Sequence, residues 1–194
     1  MLEIVKAKKS NSFDLAKLIN IAGEGIPEYL WNDAKNGDES SMAVGAKRAE
    51  REEGGFSYKN AMICSLDNIL VGMILAYRQE DPYEIGELSQ YPNVVQPLVE
   101  LESKAPGSWY INAIAVYEEY RGKGVARQLM YTTENQAVCS GCDSMSLIVA
   151  SENLGAKGLY ESLGFEVRDS RPVVSYPGCI HTGDWLLMTK GLKV

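Results

Sequence analysis

Histidine is almost absent from this chain, since His181 is the only one among its 194 residues. A structural zinc site needs four ligands, so the CxxC spacing of Cys139 and Cys142 has few partners with which to complete one. We therefore interpret these two cysteines, together with Cys64 and Cys179, as buried or incidental thiols, with a redox or metal role as the alternative. We expect no bound metal, and no disulfide framework in a cytoplasmic protein.

Long apolar runs and an excess of positive charge are missing as well. No stretch approaches the roughly 18–20 residues that a membrane helix needs, and the amino-terminal residues lack a signal-peptide layout. We therefore expect a cytoplasmic protein without membrane contact. The formal net charge is −7. This argues against a nucleic-acid partner, because binding a phosphate backbone needs a concentrated basic surface.

Hydrophobic patterning predicts strands alternating with helices in a single domain, 1–194, which indicates a mixed α/β fold. Strands are predicted at 2–7, 60–65, 69–78, 108–116, 144–149, 165–169 and 184–190. Helices are predicted from a cap at Ser10 or Ser12 to about 22, from 27, and at about 38–53, 94–104, 121–138 and 153–163. The inner face of the first helix is predicted to carry Phe13, Leu15, Leu18 and Ile19.

The clearest chemical signal is R-G-K-G-V-A at 121–126, which follows a strand and opens a helix. The first amides of a helix have no partner within it, and the helix dipole adds partial positive charge there. Gly122 and Gly124 keep side chains away, so a pyrophosphate can approach the backbone, and Arg121 and Lys123 add positive charge. The alternative is a glycine-containing turn before an ordinary helix.

Two other phosphate-binding motifs fit this segment less well. The P-loop string G-x-x-x-x-G-K-S/T does not occur in the sequence. Arg127 stands where the dinucleotide-binding fingerprint needs its third glycine. A phosphate-binding helix start that follows neither of these two motifs is therefore the better interpretation.

The run IAVYEEYRGKGVARQLM resembles the signature motif of the GNAT superfamily of N-acetyltransferases. That motif is a strand followed by Q/R-x-x-G-x-G/A, and Arg121, Gly124 and Ala126 fill its three defining places. The run from Asn153 to Phe165 is similar to the second motif of the superfamily, N-x-x-A-x-x-L-Y-x-x-x-G-F. The order and spacing of the two motifs agree with the superfamily.

The resemblance implies a GNAT fold, with a central mixed, mostly antiparallel sheet of about six to seven strands flanked by helices. It implies acetyl-CoA as acyl donor, held by 108–167, and direct attack by an amine without an acyl-enzyme. Segments 23–58 and 79–107 would lie on the substrate side and set specificity. The cofactor-binding residues implied are Ile114, Ala115, Val116, Arg121, Gly122, Lys123, Gly124, Val125, Ala126, Asn153 and Tyr160.

Tyr160 is the one residue to which the resemblance gives a catalytic role. Its hydroxyl would lie near the thioester sulfur and donate to the departing thiolate, while backbone amides of 114–116 would stabilise the oxyanion. The alternatives are structural, with Tyr160 as a packing residue and Asn153 as a helix cap.

The general base is not identified by the sequence. Many members of the superfamily place an acid on the strand before the phosphate loop, but Tyr110 and Asn112 stand there and neither is a convincing base. The weaker candidates are a water chain, His181, Asp184, Glu84 and Glu87.

The acceptor is the least determined partner. Segment 79–107 carries one base, Lys104, against six acids, namely Glu80, Asp81, Glu84, Glu87, Glu100 and Glu102. Such a rim would favour a cationic amine, although solvated loop carboxylates are the alternative. An N-acetyltransferase, monomeric or homodimeric, is the leading hypothesis. The others are a non-catalytic acyl-CoA sensor or scaffold, and a nucleotide-phosphate protein unrelated to CoA.

Overall fold

The computed structural model describes residues 1–193. Along the chain its helices and strands are β1 Leu2–Lys6, α1 Ser12–Ala22, α2 Ile26–Ala34, α3 Ser41–Ala49, β2 Ala61–Leu66, β3 Ile69–Arg78, α4 Gln96–Glu102, β4 Trp109–Val116, α5 Val125–Cys139, β5 Ser144–Ala150, α6 Leu154–Ser162, β6 Glu166–Pro172 and β7 Asp184–Gly191. Each strand lies where the hydrophobic pattern predicts one.

The seven strands form one sheet in the order β1-β2-β3-β4-β5-β7-β6. β1 pairs antiparallel with β2, β2 with β3, β5 with β7 and β6 with β7, whereas β4 and β5 are parallel. The predicted mixed, mostly antiparallel sheet flanked by helices is therefore confirmed. Within residues 1–193, no helix combines the length and the apolar composition needed to cross a bilayer.

Contacts divide the chain into two compact units. The first consists of Met1–Tyr77 and Asn112–Thr133, and the second of Arg78–Ile111 and the chain from Glu134 onward. The loop that resembles the first GNAT motif therefore belongs to the first unit. The second motif, together with α4, β5, β6 and β7, belongs to the second unit.

The core of the first unit includes one face of α1. Leu15, Leu18 and Ile19 are buried, but Phe13 is 48% exposed, so its predicted place on the inner face is wrong. Phe13 lies two positions before Leu15, which is about 200° around a helix with 3.6 residues per turn. Its ring instead lies 4.9 Å from the ammonium of Lys17, one turn later on the outer face.

Helix α3 is shorter than the predicted 38–53. Ser40 fixes its start, because the Ser40 hydroxyl accepts a hydrogen bond from the Ala43 amide at 3.2 Å. The helix ends at Ala49, where residues 51–57 turn away and the Ser57 hydroxyl donates to the Arg51 carbonyl. Polar side chains that hydrogen-bond to the backbone thus set its limits.

Gly45 on α3 packs against the indole of Trp31 on α2. A Cβ at this position would lie 2.5–2.7 Å from three ring atoms of Trp31, which is buried. We expect Gly45→Ala to lower the free energy of unfolding by up to about 2 kcal/mol, because overpacking costs about 1–3 kcal/mol and the gain in helix propensity offsets about 1 kcal/mol. Urea unfolding followed by circular dichroism measures this.

Gly158→Ala is the matched control for that substitution. Gly158 lies within α6, and a Cβ there would meet nothing within 4 Å. The variant should gain up to about 1 kcal/mol from helix propensity alone. Equal stabilisation by both substitutions would contradict the close packing of α2 and α3.

The second unit is built on β5 and β7, with α4 packed against β5, β6 and β7. Val99 and Leu101 of α4 are buried, as are Leu147 of β5 and Leu187 of β7. This packing fixes the carboxyl end of α4, where Glu102 is the last helical residue.

Candidate functional site

The loop between β4 and α5 presents a row of five backbone amides, those of 122–126, at the start of a helix. The Arg121 amide donates to the Glu118 carbonyl at 3.1 Å, and the Gln128 amide donates to the Gly124 carbonyl at 3.1 Å. Between them, the five amides of 122–126 donate to no acceptor within residues 1–193. Such amides at a helix start are the donors that anions bind.

The backbone of this loop requires glycine at positions 122 and 124, and α5 begins only after them. The helix predicted from Arg121 begins instead at Val125. Gly122 and Gly124 have φ angles of +72° and +79°, which lie in the left-handed region and cannot continue a right-handed helix. A Cβ at either position would meet nothing within 4 Å, so the space beside the backbone is open.

Two cations flank the row of amides. The Arg121 Nε donates to the Val116 carbonyl at 3.2 Å, which ties the guanidinium to the end of β4. The ammonium of Lys123 lies 5.0 Å from the ring centroid of Tyr120. Both side chains belong to exposed residues, and both charges add to the partial positive charge of the helix start.

The strand before the loop carries three of the predicted cofactor-binding residues. Ala115 and Val116 are buried, and Ile114 is half-buried. Gly72 on β3 allows a close approach here, since a Cβ at that position would lie 2.7 Å from the Ala115 carbonyl oxygen. The oxyanion role of the amides of 114–116 stays a prediction.

In the second motif, Asn153 acts as a helix cap and Tyr160 packs in the core, which are the two structural alternatives given by the sequence. Asn153 Oδ1 accepts a hydrogen bond from the Ala156 amide at 3.1 Å, so Asn153 caps α6. Tyr160 is buried, and its ring centroid lies 6.2 Å from that of Phe165 with the ring planes tilted by 58°. Contacts of Asn153 and Tyr160 with the cofactor stay predictions.

The side chains suggested by the sequence as base candidates all belong to the second unit. Glu84 and Glu87 are exposed, and Asp184 begins β7. His181 Nδ1 lies 3.2 Å from a carboxylate oxygen of Glu152. The pKa of Glu152 is below its ordinary value, chiefly because the Thr182 amide donates to its carboxylate.

A carboxylate that sequence reasoning did not single out is bracketed by two phenols. Tyr83 donates to Glu102 Oε2 at 2.8 Å, and Tyr110 donates to Glu102 Oε1 at 3.0 Å. Burial raises the pKa of Glu102 above its ordinary value, although both phenolic hydrogen bonds act to lower it. No local sequence pattern links these residues, which are 19 and 8 positions apart.

The six acids of segment 79–107 do not act alike. Glu100 accepts a hydrogen bond from Arg171 at 2.8 Å, so its charge is compensated. Glu102 is held by the two tyrosines. The remaining four acids, Glu80, Asp81, Glu84 and Glu87, are exposed. Only these four can form the negative rim that was expected to favour a cationic acceptor.

The four cysteines are unpaired thiols. Cys64 and Cys142 are buried, and burial raises the pKa of both thiols, whereas Cys139 is exposed. Across residues 1–193, no three side chains of His, Cys, Asp or Glu gather in an arrangement that could hold a metal ion.

Comparison with known proteins gives the family. The family model described as "Acetyltransferase (GNAT) family" matches residues 26–165. An acetyltransferase of Sodalis glossinidius is 33% identical over 57 residues, which are 29% of this chain and 40% of that protein. The chain therefore spans less than half the length of that curated relative.

Solved structures show the same fold. An N-acetyltransferase from Staphylococcus aureus Mu50 has a TM-score of 0.64 at 18% identity, covering 96% of this chain and 99% of that one. The NatC complex bound to Gag peptide and CoA has a TM-score of 0.58 at 20% identity, covering 99% of both chains. With the family model matching most of its length, this chain belongs to the Acetyltransferase (GNAT) family.

Proposed function

We propose that this protein transfers the acetyl group of acetyl-CoA to a primary amine, with the diphosphate of CoA bound by residues 121–126. The observation that carries the proposal is the row of five amides that donate to no acceptor within residues 1–193. Enzymes of the GNAT family use acetyl-CoA, and its diphosphate carries the charge that such a row binds.

The loop suits a diphosphate better than a single carboxylate. Five successive donors exceed what one carboxylate accepts, whereas two linked phosphate groups offer several charged oxygens. Gly122 and Gly124 leave open space beside the backbone, so the ligand can reach the amides. Arg121 and Lys123 supply two full positive charges at the same place.

The reaction follows from direct attack by a neutral amine on the thioester carbonyl. Amides of 114–116 would stabilise the oxyanion as the carbon–nitrogen bond forms. The Tyr160 hydroxyl would then protonate the sulfur as the carbon–sulfur bond breaks. The acceptor, its charge and the cytoplasmic location expected from the sequence remain predictions.

The test has a binding stage and a turnover stage. Acetyl-CoA should raise the melting temperature of the protein clearly more than ATP or NAD does at the same concentration. CoA release, measured with a thiol reagent, should then appear with at least one member of a panel of primary amines. Stabilisation by acetyl-CoA without turnover on any amine would favour the sensor hypothesis. Stabilisation by ATP or NAD alone would favour a nucleotide-phosphate protein.

A further inference from the structure

The carboxylate of Glu102 is half-buried and makes no ion pair within residues 1–193. Its two oxygens accept hydrogen bonds from Tyr83 and Tyr110, and no cation shares them. Buried carboxylates are normally paired with a cation, because burial without one is costly. A carboxylate held by phenols alone is therefore an unusual arrangement for a purely structural role.

Two cations on the strands packed against α4, Arg171 and Lys190, are engaged with other carboxylates. Arg171 on β6 donates to Glu100 and to Asp169, at 2.8 and 3.0 Å. Lys190 on β7 donates to Glu134 at 2.6 Å. The pKa of Glu102 consequently depends on burial, which raises it, and on the two phenols, which lower it.

The carboxyl end of α4 is anchored to the strands beside it. The Gln79 amide donates to the Ser108 carbonyl at 2.9 Å, and the Ser108 hydroxyl lies 2.6 Å from that of Ser146 on β5. With its side-chain amide oriented to satisfy both groups, Gln79 also donates to the carbonyls of Glu102 and Ala105, at 3.2 and 2.7 Å. These bonds hold Glu102 and Tyr110 in fixed relation.

We propose that Tyr110 accepts the proton of the acceptor amine while its own hydroxyl proton passes to Glu102. This inference rests on the proposed acetyl transfer. The ammonium loses a proton to Tyr110 Oη, the Oη–H proton crosses the 3.0 Å hydrogen bond to Glu102 Oε1, and a neutral amine is left to attack. Tyr110 is then the catalytic residue, and Glu102 is the residue that positions it and takes up the proton.

Tyr110 lies at a suitable place on β4. The parallel pairing of β4 with β5 is formed at Trp109, Tyr110 and Ile111, so Tyr110 is one residue before its last pair. Tyr110 lies four residues before Ile114 on the same strand, and the amides proposed to stabilise the oxyanion begin at Ile114. A phenol alone, with a pKa of about 10, is a poor base at neutral pH. Tyr110 can accept the amine proton more readily if its own hydroxyl proton passes to Glu102, because burial raises the pKa of that carboxylate.

The test compares Glu102→Gln and Tyr110→Phe with Tyr83→Phe. The last variant removes the other phenol from the same carboxylate and keeps the Tyr110–Glu102 hydrogen bond. The kcat/KM of each would be measured against pH with a basic primary amine and with its fluorinated analogue, whose pKa is far lower. An amine that is already neutral does not need the relay.

We expect Glu102→Gln and Tyr110→Phe to lose about 100-fold or more in kcat/KM with the basic amine, as for loss of a general base. With the weakly basic amine the loss should be much smaller. Tyr83→Phe should keep most of its rate. The hydrogen bond that Tyr83→Phe removes lowers the pKa of Glu102, so the pKa of Glu102 should rise in this variant. Because Glu102 must be ionised to accept a proton, the acidic limb of the pH profile of Tyr83→Phe should move to higher pH.

The melting temperature is the folding control, and two kinetic results would overturn the relay. Acetyl-CoA should raise the melting temperature of all the variants equally, which shows that they are folded. Equal losses with both amines would then make the cluster structural. An unchanged rate and pH profile for Glu102→Gln would overturn the relay and leave the proposed function standing. If the wild-type protein acetylates no amine, both the relay and the proposed function fail.

Discussion

Gly124→Glu is expected to abolish detectable acetyl-CoA binding, with a loss of affinity of about 100-fold or more. The new carboxylate would lie beside the amides of 122–126 and accept their hydrogen bonds in place of the diphosphate. It would also repel the phosphate charges. Each charge-assisted hydrogen bond lost is worth about 1.5–3 kcal/mol, and about 1.4 kcal/mol is a factor of ten in affinity. Isothermal titration calorimetry with acetyl-CoA measures the change.

Two variants separate charge from backbone strain in this experiment. Gly124→Asn keeps a side chain that tolerates the left-handed region and adds no charge, so it should bind acetyl-CoA more weakly than wild type but measurably. Gly54→Glu adds the same carboxylate at a φ angle of +90°, again with nothing within 4 Å of the Cβ. It should bind like wild type. Wild-type affinity in Gly124→Glu would remove the basis for placing a diphosphate on this loop.

Tyr160→Phe is expected to lower kcat by about 100-fold with little change in affinity for acetyl-CoA, as for loss of a general acid. The ring that packs 6.2 Å from Phe165 is retained, and only the hydroxyl is removed. The acid must be protonated to act, so the variant should also alter the alkaline limb of the pH profile. Stopped-flow thiol detection together with calorimetry would separate the two effects.

Tyr176→Phe is the matched control, because Tyr176 is a buried tyrosine of the same unit without an assigned role. It should leave both kcat and affinity nearly unchanged. Similar losses of kcat and affinity in Tyr160→Phe would make Tyr160 a packing residue, and Tyr110 would then be the only tyrosine with a proposed catalytic role.

The sheet was predictable from sequence because strand patterning is local. Apolar runs such as 69–78 lie between turn residues, and the hairpin turn at Asp67 and Asn68 has positive φ angles at both positions, as a type I′ turn requires. Helix starts were less accurate. The helix expected at Arg121 begins at Val125, because the glycines that identify the loop also prevent helix there.

The phenol–carboxylate cluster could not be predicted, since it exists only in three dimensions. Glu102 ends a short helix, Tyr110 lies on a strand, and Tyr83 lies in irregular chain. In the sequence, Glu102 was one acid among six and Tyr110 stood where an acid was expected. Only folding brings the carboxylate to the tyrosine, which changes the chemistry assigned to that position.

The amides of 122–126, which donate to no acceptor within residues 1–193, also have a consequence for the choice of buffer. Inorganic phosphate and sulfate are small dianions whose oxygens fit the same hydrogen-bond donors. Both should occupy the loop in the absence of a thioester and inhibit competitively against acetyl-CoA, raising its apparent KM while leaving kcat unchanged. Kinetic constants measured in phosphate buffer would therefore underestimate the affinity of this protein for its acyl donor.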